Sequence, residues 1–210
     1  MKNHHKAVAL FAVFVTVGGG VWLYGRYKSI KADVIQKMKE DTASYIKNRA
    51  AALLKPEAFT DKNVITRNQT FKSFFDAIQS PELVRIKVWD RNFTVIWSNL
   101  NELIGQRFPD NHEVQEAYEG KIEFEIDIPK FEHISERQFR ELAEIYIPIQ
   151  DDKGELVGVI EVYRPAFPVD EEAKSRFQKV AFPAILMTLA GYLAIAFLPR
   201  LIAMRIPEAK

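Results

Sequence analysis

The side chains that could do chemistry in this 210-residue chain are few: four histidines, one run of three glycines and no cysteine. His112, Glu113 and Glu116 could gather a cation on one helical turn, but the second histidine that zinc helices carry four residues on is missing. A solvated helix face is the simpler reading. His4 and His5 stand beside Lys6 at the start of an uncharged run, where an interfacial role suits them better than a metal. The lack of cysteine excludes disulfides, thiol nucleophiles and thiolate metal sites. The triplet in "VGGGV" lies inside an apolar run and lacks the Lys-Ser/Thr that a phosphate-binding loop needs. No Gly-x-Ser-x-Gly elbow is found, and no pair of carboxylates stands out as acid and base. The chain reads as a protein without catalytic residues, metal or cofactor. Its net charge of +1 supplies no field toward nucleic acid.

Two uncharged stretches must position whatever lies between them. Ala7–Tyr24 holds no charge and, at 1.5 Å per residue, spans roughly 27 Å, close to the hydrocarbon thickness of a bilayer. Trp22 and Tyr24 sit at its far end, where amphipathic rings favour the headgroups. The same run also fits a cleaved signal peptide, with the glycines as its small-residue site. Val180–Leu198 is likewise uncharged and shows no polar face. Pro183 falls in the first turn of that span. Both ends of the chain are basic, Lys2 and Lys6 before the first run and Arg200, Arg205 and Lys210 after the second, with Glu208 the one acid. Positive flanks stay inside, so both termini are expected in the cytoplasm and residues 26–179 outside. Arg26, Lys28 and Lys31 pull against that orientation.

Between the spans, Ile30, Val34, Met38, Ile46, Ala50 and Leu53 recur at helical spacing, and Pro56 bounds the run. That apolar stripe packs either on its own domain or on the same helix of a second copy. From Leu83 the period becomes two. "LVRIKVWD" and "FTVIWSN" read as strand, tight turn, strand. "HEVQEAYEG" is a short helix closed by Gly120. "KIEFEIDI", "ELAEIYIPI" and "LVGVIEVYR" are three further strands. Val84, Ile86 and Val88 point to one side, and Arg85, Lys87 and Trp89 to the other. The pattern predicts an α+β layer: five antiparallel strands, helices on one face and a solvated, charged second face.

The segments "VRIKVWDRNFTVIWSN", "LIGQRFPDN", "VQEAYEGKIEFE" and "EIYIPIQDDKGELVGVIEVY" resemble the extracytoplasmic PAS-like sensor modules (Cache or PDC class) of bacterial histidine kinases, diguanylate cyclases and chemoreceptors. Together they cover residues 83–163. The resemblance implies a PAS-like five-stranded sheet with a long N-terminal helix, flanked by two transmembrane helices. It divides the chain into a cytoplasmic N-terminus and first span (1–25), a juxtamembrane signalling helix (26–56), a sensor domain (57–168), a connecting helix (169–179), a second span (180–199) and a cytoplasmic tail (200–210). It also implies a bacterial inner-membrane location with the sensor domain periplasmic, a small-molecule ligand and a homodimer. The pocket is expected between the sheet and its cover at 99–120 and 129–141. There Arg107, Tyr118, His133, Arg137 and Arg140, with Tyr146 on the sheet, would suit a small anion such as a carboxylate. Trp89, Trp97 and Tyr163 read as packing aromatics. Family members continue into an output domain. About a dozen residues follow Leu198 here, so the signal is expected to pass helix to helix into a kinase, cyclase or chemoreceptor partner. Gly191 and Ala194–Ala196 would permit close helix approach there. A second reading is a scaffold that uses the same fold to bind protein, and a third is the sensing half of a longer or broken kinase.

Overall fold

The computed structural model describes residues 2–127 and 141–205, with side chains over 10–126 and 141–197. The chain divides into two compact units, residues 1–34 with 170–210, and residues 35–169. Helix α1 (Lys2–Leu53) contributes to both.

The first unit pairs the N-terminal part of α1 with α4 (Phe167–Arg205). Its polar ties are Lys31 to Asp170 at 2.8 Å and the Tyr192 hydroxyl, which donates to the Ala12 carbonyl (2.9 Å) beside Thr16 Oγ1 (2.8 Å). Tyr27 meets Phe177 edge to face. Among the described residues one helix stretch, Phe167–Phe197, is long and apolar enough to cross a membrane, with mean hydropathy 2.1. Phe14, Val21, Met187 and Phe197 present more than half of their surface. Bare apolar surface on this scale needs a cover such as lipid. Pro183 lies inside α4 and not in its first turn, because the helix already begins at Phe167. The ring removes one hydrogen bond without ending the helix.

The second unit is built on a fully antiparallel sheet in the order β2-β1-β5-β4-β3. The strands are β1 (Arg85–Trp89), β2 (Val95–Ser98), β3 (Glu123–Asp127), β4 (Leu142–Gln150) and β5 (Leu156–Pro165). The alternation seen in the sequence sends Ile86, Val88, Ile145, Ile147, Ile160 and Val162 to one face. Ala43, Ile46 and Ala50 of α1 and Phe71, Phe74 and Ile78 of α2 (Val64–Ile78) close over them. Helix α2 was not anticipated, although its signals are local. Asn63 caps it by accepting from the Ile65 and Thr66 amides, and its three buried residues recur at spacings of three and four. Before it, the short helical turn Pro56–Phe59 sets Phe59 against Gly158 of β5. A Cβ on that glycine would stand 2.2 Å from the ring.

Two expectations are corrected. Helices cover both faces of the sheet, because α3 (His112–Tyr118) lies on the face opposite α1 and α2. That second face is also not solvated. Arg85, expected on the outward side, is buried, and so are Trp89, Tyr146, Glu161 and Tyr163 on the same face. Strand alternation separates two faces but does not reveal whether anything lies over the second one.

Candidate functional site

The buried second face is built by register. Lys87 of β1 stands opposite Glu161 of β5, which stands opposite Tyr146 of β4, which stands opposite Glu123 of β3. One row over, Arg85, Tyr163, Glu144 and Glu125 face one another in the same way. Opposed residues on paired strands share a face and touch. Two rows of polar and aromatic side chains therefore cross four strands.

At the centre is Glu161, with no exposed surface. One oxygen accepts from Lys87 Nζ at 3.0 Å and the other from the Trp89 indole N–H at 2.7 Å. Lys87 Nζ also donates to the Tyr163 hydroxyl. Lys87 lies over the Tyr163 ring at 4.8 Å, and the Arg85 guanidinium over the same ring at 5.5 Å. Desolvating an ion pair costs several kcal/mol per ion, which a central apolar strand recovers only with complete hydrogen bonding. Here each Glu161 oxygen has a donor and Lys87 Nζ has two acceptors. Apolar residues of similar volume would often serve stability as well or better, so a buried pair within "LVGVIEVYR" points to a role beyond packing.

Glu144 is strongly perturbed. Burial and then the Glu161 charge push its carboxyl up from 4.5 to about 8, against the opposing pull of Lys87 and of hydrogen bonds from Tyr146 and Tyr163. The Tyr146 hydroxyl donates to Glu144 at 3.0 Å. Burial, then the Glu161 and Glu144 charges, push the Tyr146 and Tyr163 phenols well above their ordinary value. Both stay protonated donors.

Next to these rows lies an apolar cluster. Val114 and Ala117 of α3 pack on Trp89, Tyr146 and Val159, with Val95 and Leu103 beside them. The Asn111 side chain caps α3 by accepting from the Val114 amide at 2.7 Å. Gly120 ends the segment at φ +92°, a conformation natural only to glycine. The Tyr118 hydroxyl donates to the Trp89 carbonyl at 3.1 Å, and its ring meets Phe93 edge to face. Phe93 itself adopts φ 59° in the β1–β2 turn, where Asp90 Oδ1 accepts from the Asn92 and Thr94 amides. Trp89 also meets Phe108 edge to face.

Of the residues picked from sequence, Tyr118 and Tyr146 fall in this cluster. Arg107 is exposed and its Nε donates to the Asn92 carbonyl at 2.9 Å. His133, Arg137 and Arg140 lie outside the described residues. Lys87, Glu161, Glu144 and Arg85 were not picked. The available signal was a single glutamate within an otherwise apolar strand. Among the described residues, the two rows hold two cations and four carboxylates. Their charge favours an amine over an anion, and their aromatic rings favour its apolar part.

No family model and no curated protein matches the chain. Solved structures do resemble it. One is the sensor domain of the histidine kinase DctB from V. cholerae, at 15% identity and a TM-score of 0.48, covering 76% of this chain and 59% of that one. Another is the sensor domain of DcuS from E. coli, at 16% identity and 0.39, covering 70% and 98%. A third is the ligand-binding domain of the Campylobacter jejuni chemoreceptor Tlp3 in complex with 4-methylisoleucine, at 13% identity and 0.41, covering 70% and 63%. The chain thus spans about three-fifths of the DctB sensor domain. These structures are sensor and ligand-binding domains, the class that the motifs of residues 83–163 resemble.

Proposed function

We propose that this chain is a membrane-anchored sensor. A small amine-bearing solute binds on the Lys87–Glu161–Glu144 face of the sheet, and its arrival is passed on through the helices that enter the membrane. The observation that carries the reading is Glu161, a carboxylate sealed in the central strand and ringed by Lys87, Trp89 and Tyr163. A ligand amine takes the place of part of this network, with Glu144, a neutral acid near pH 7, giving up its proton beside the amine's charge, and with Trp89, Tyr118 and Tyr146 as walls. The strand that carries Glu161 and Tyr163 ends at Pro165, and α4 begins two residues later at Phe167. A shift of β5 therefore acts on the root of α4 through Ala166 alone. Ligand biases the resulting equilibrium only by its difference in affinity for the two arrangements. In this reading α4 is one span, Ala7–Tyr24 of α1 is the other, and the sheet lies outside the cytoplasm.

The test is a thermal-shift panel on the full chain in detergent, with primary amines, amino acids and dicarboxylates at matched ionic strength. A rise in midpoint with an amine-bearing solute, lost in Glu161→Gln, is the expected result. A response to dicarboxylates alone, or no response to any amine, overturns the ligand class.

A further inference from the structure

A second site lies away from the polar face and independent of it. A cavity of about 490 Å³ opens between the start of α2 and the β1–β2 and β4–β5 turns. Phe59 and Ile96 form part of its apolar lining, and Lys62, Arg67 and Arg91 bring three cations to its wall. Asp61, Asp90 and Glu155 line it too, so formal charge balances. Hydrogen bonding does not. Asp61 Oδ1 accepts from the Asn63 amide, and Asp90 Oδ1 from the amides of Asn92 and Thr94. Two of the three carboxylates are thus engaged in holding their own turns.

The cations keep donors to spare. Arg67 gives one Nη1 bond to the Asp61 carbonyl at 3.2 Å, while its Nε is buried and meets no acceptor. Arg91 donates one Nη2 bond to the Leu156 carbonyl. A buried donor of a charged group left unpaired carries its desolvation penalty uncompensated, and native folds rarely leave one without a reason. The Nε–Nη2 edge of a guanidinium is shaped to take two oxygens of one anion.

We propose that this cavity binds a small oxyanion. Arg67 turns its Nε–Nη2 edge into the cavity to take two of the anion's oxygens, and Arg91 and Lys62 close on the remaining ones. The occupant is a carboxylate or a phosphate group, small enough to pass the turns and hydrophilic enough to need three cations.

Calorimetric titration of the full chain in detergent with sodium phosphate, and separately with sodium succinate, tests this against sodium chloride at equal ionic strength. Saturable heat with phosphate or succinate and none with chloride is expected; the anion that responds identifies the source. Arg67→Gln and Arg91→Gln should each weaken binding about tenfold, the loss of one charge-assisted contact. Arg91 is exposed, so its variant reads binding without endangering the fold. Repeating the titration with an amine-bearing solute present should leave it unchanged, because the two sites share no residue, which keeps the result separate from the sensor reading. No saturable heat with either anion, or equal affinity in wild type and both arginine variants, overturns the proposal.

Discussion

Both faces of the sheet are covered, but they are made of opposite chemistry. Under α1 and α2 the face is apolar throughout, Ile, Val, Phe, Ala, Leu54 and Trp97, the side chains meeting by shape. Across the same strands, one residue along, the face is Arg85, Lys87, Glu144, Glu161 and the rings of Trp89, Tyr146 and Tyr163, bound by directed contacts. An apolar face tolerates imperfect fit at modest cost. A buried polar face does not, because each group left unpaired carries its full desolvation penalty. The first face therefore holds by apolar packing, and the second is the face that the proposed sensor reading uses.

The largest effect that sharpens this contrast comes from cutting one half of the ion pair. Lys87→Met leaves Glu161 sealed without its cation and should cost about 3–5 kcal/mol in urea unfolding of the detergent-solubilised chain. Adding Glu161→Met should recover most of that. Phe71→Ala on the apolar face should cost a similar amount, about 3–5 kcal/mol, yet no second substitution should rescue it. If the double variant is no more stable than Lys87→Met, the pair is not the unit that holds the polar face.

Next in size is a pH dependence confined to the polar face. The Glu144 carboxyl is raised in the fold from 4.5 to about 8. The folded state therefore holds more protons than the unfolded state between those values, and stability falls as pH rises through that window. Below about 4.5 this contribution is fully present, and above about 8 it is gone. Glu144→Gln should flatten the slope, whereas Phe71→Ala should shift the whole curve down without changing its shape. A wild-type slope that survives Glu144→Gln assigns the proton to another group.

Gly158→Ala tests the close approach of Phe59 to β5. The new methyl would sit 2.2 Å from the ring, and the forced shift should cost about 1–3 kcal/mol. Because Phe59 also lines the cavity of the proposed oxyanion site, phosphate or succinate affinity should change with it. Smallest is Asn63→Ala, which removes the cap of α2 and should cost about 1 kcal/mol by the same unfolding measurement.

Much of the fold was legible because its signals are local. The change of period at Leu83, the turn at Asp90 and Asn92, and Gly120 after a short helical run each place an element without reference to the rest of the chain. The signals of helix α2 are equally local: Phe71, Phe74 and Ile78 have helical spacing, and Lys72 and Asp76 pair on its exposed side. The candidate site was legible only in part. Tyr118 and Tyr146 were found through resemblance. Lys87 and Glu161 were not, since a charge in an alternating strand normally faces water.

By itself, the sequence determined the two uncharged helical stretches, the five strands and the alternation along β1 and β3, since period and length are properties of neighbours along the chain. Only the tertiary structure decided that β5 is the central strand, that α3 lies over the charged face, and that Lys87 meets a glutamate 74 positions away. Strand order and register are set by long-range packing and not by local propensity. That is why the same alternating pattern that reads as a solvated face is, in the folded chain, a buried polar one.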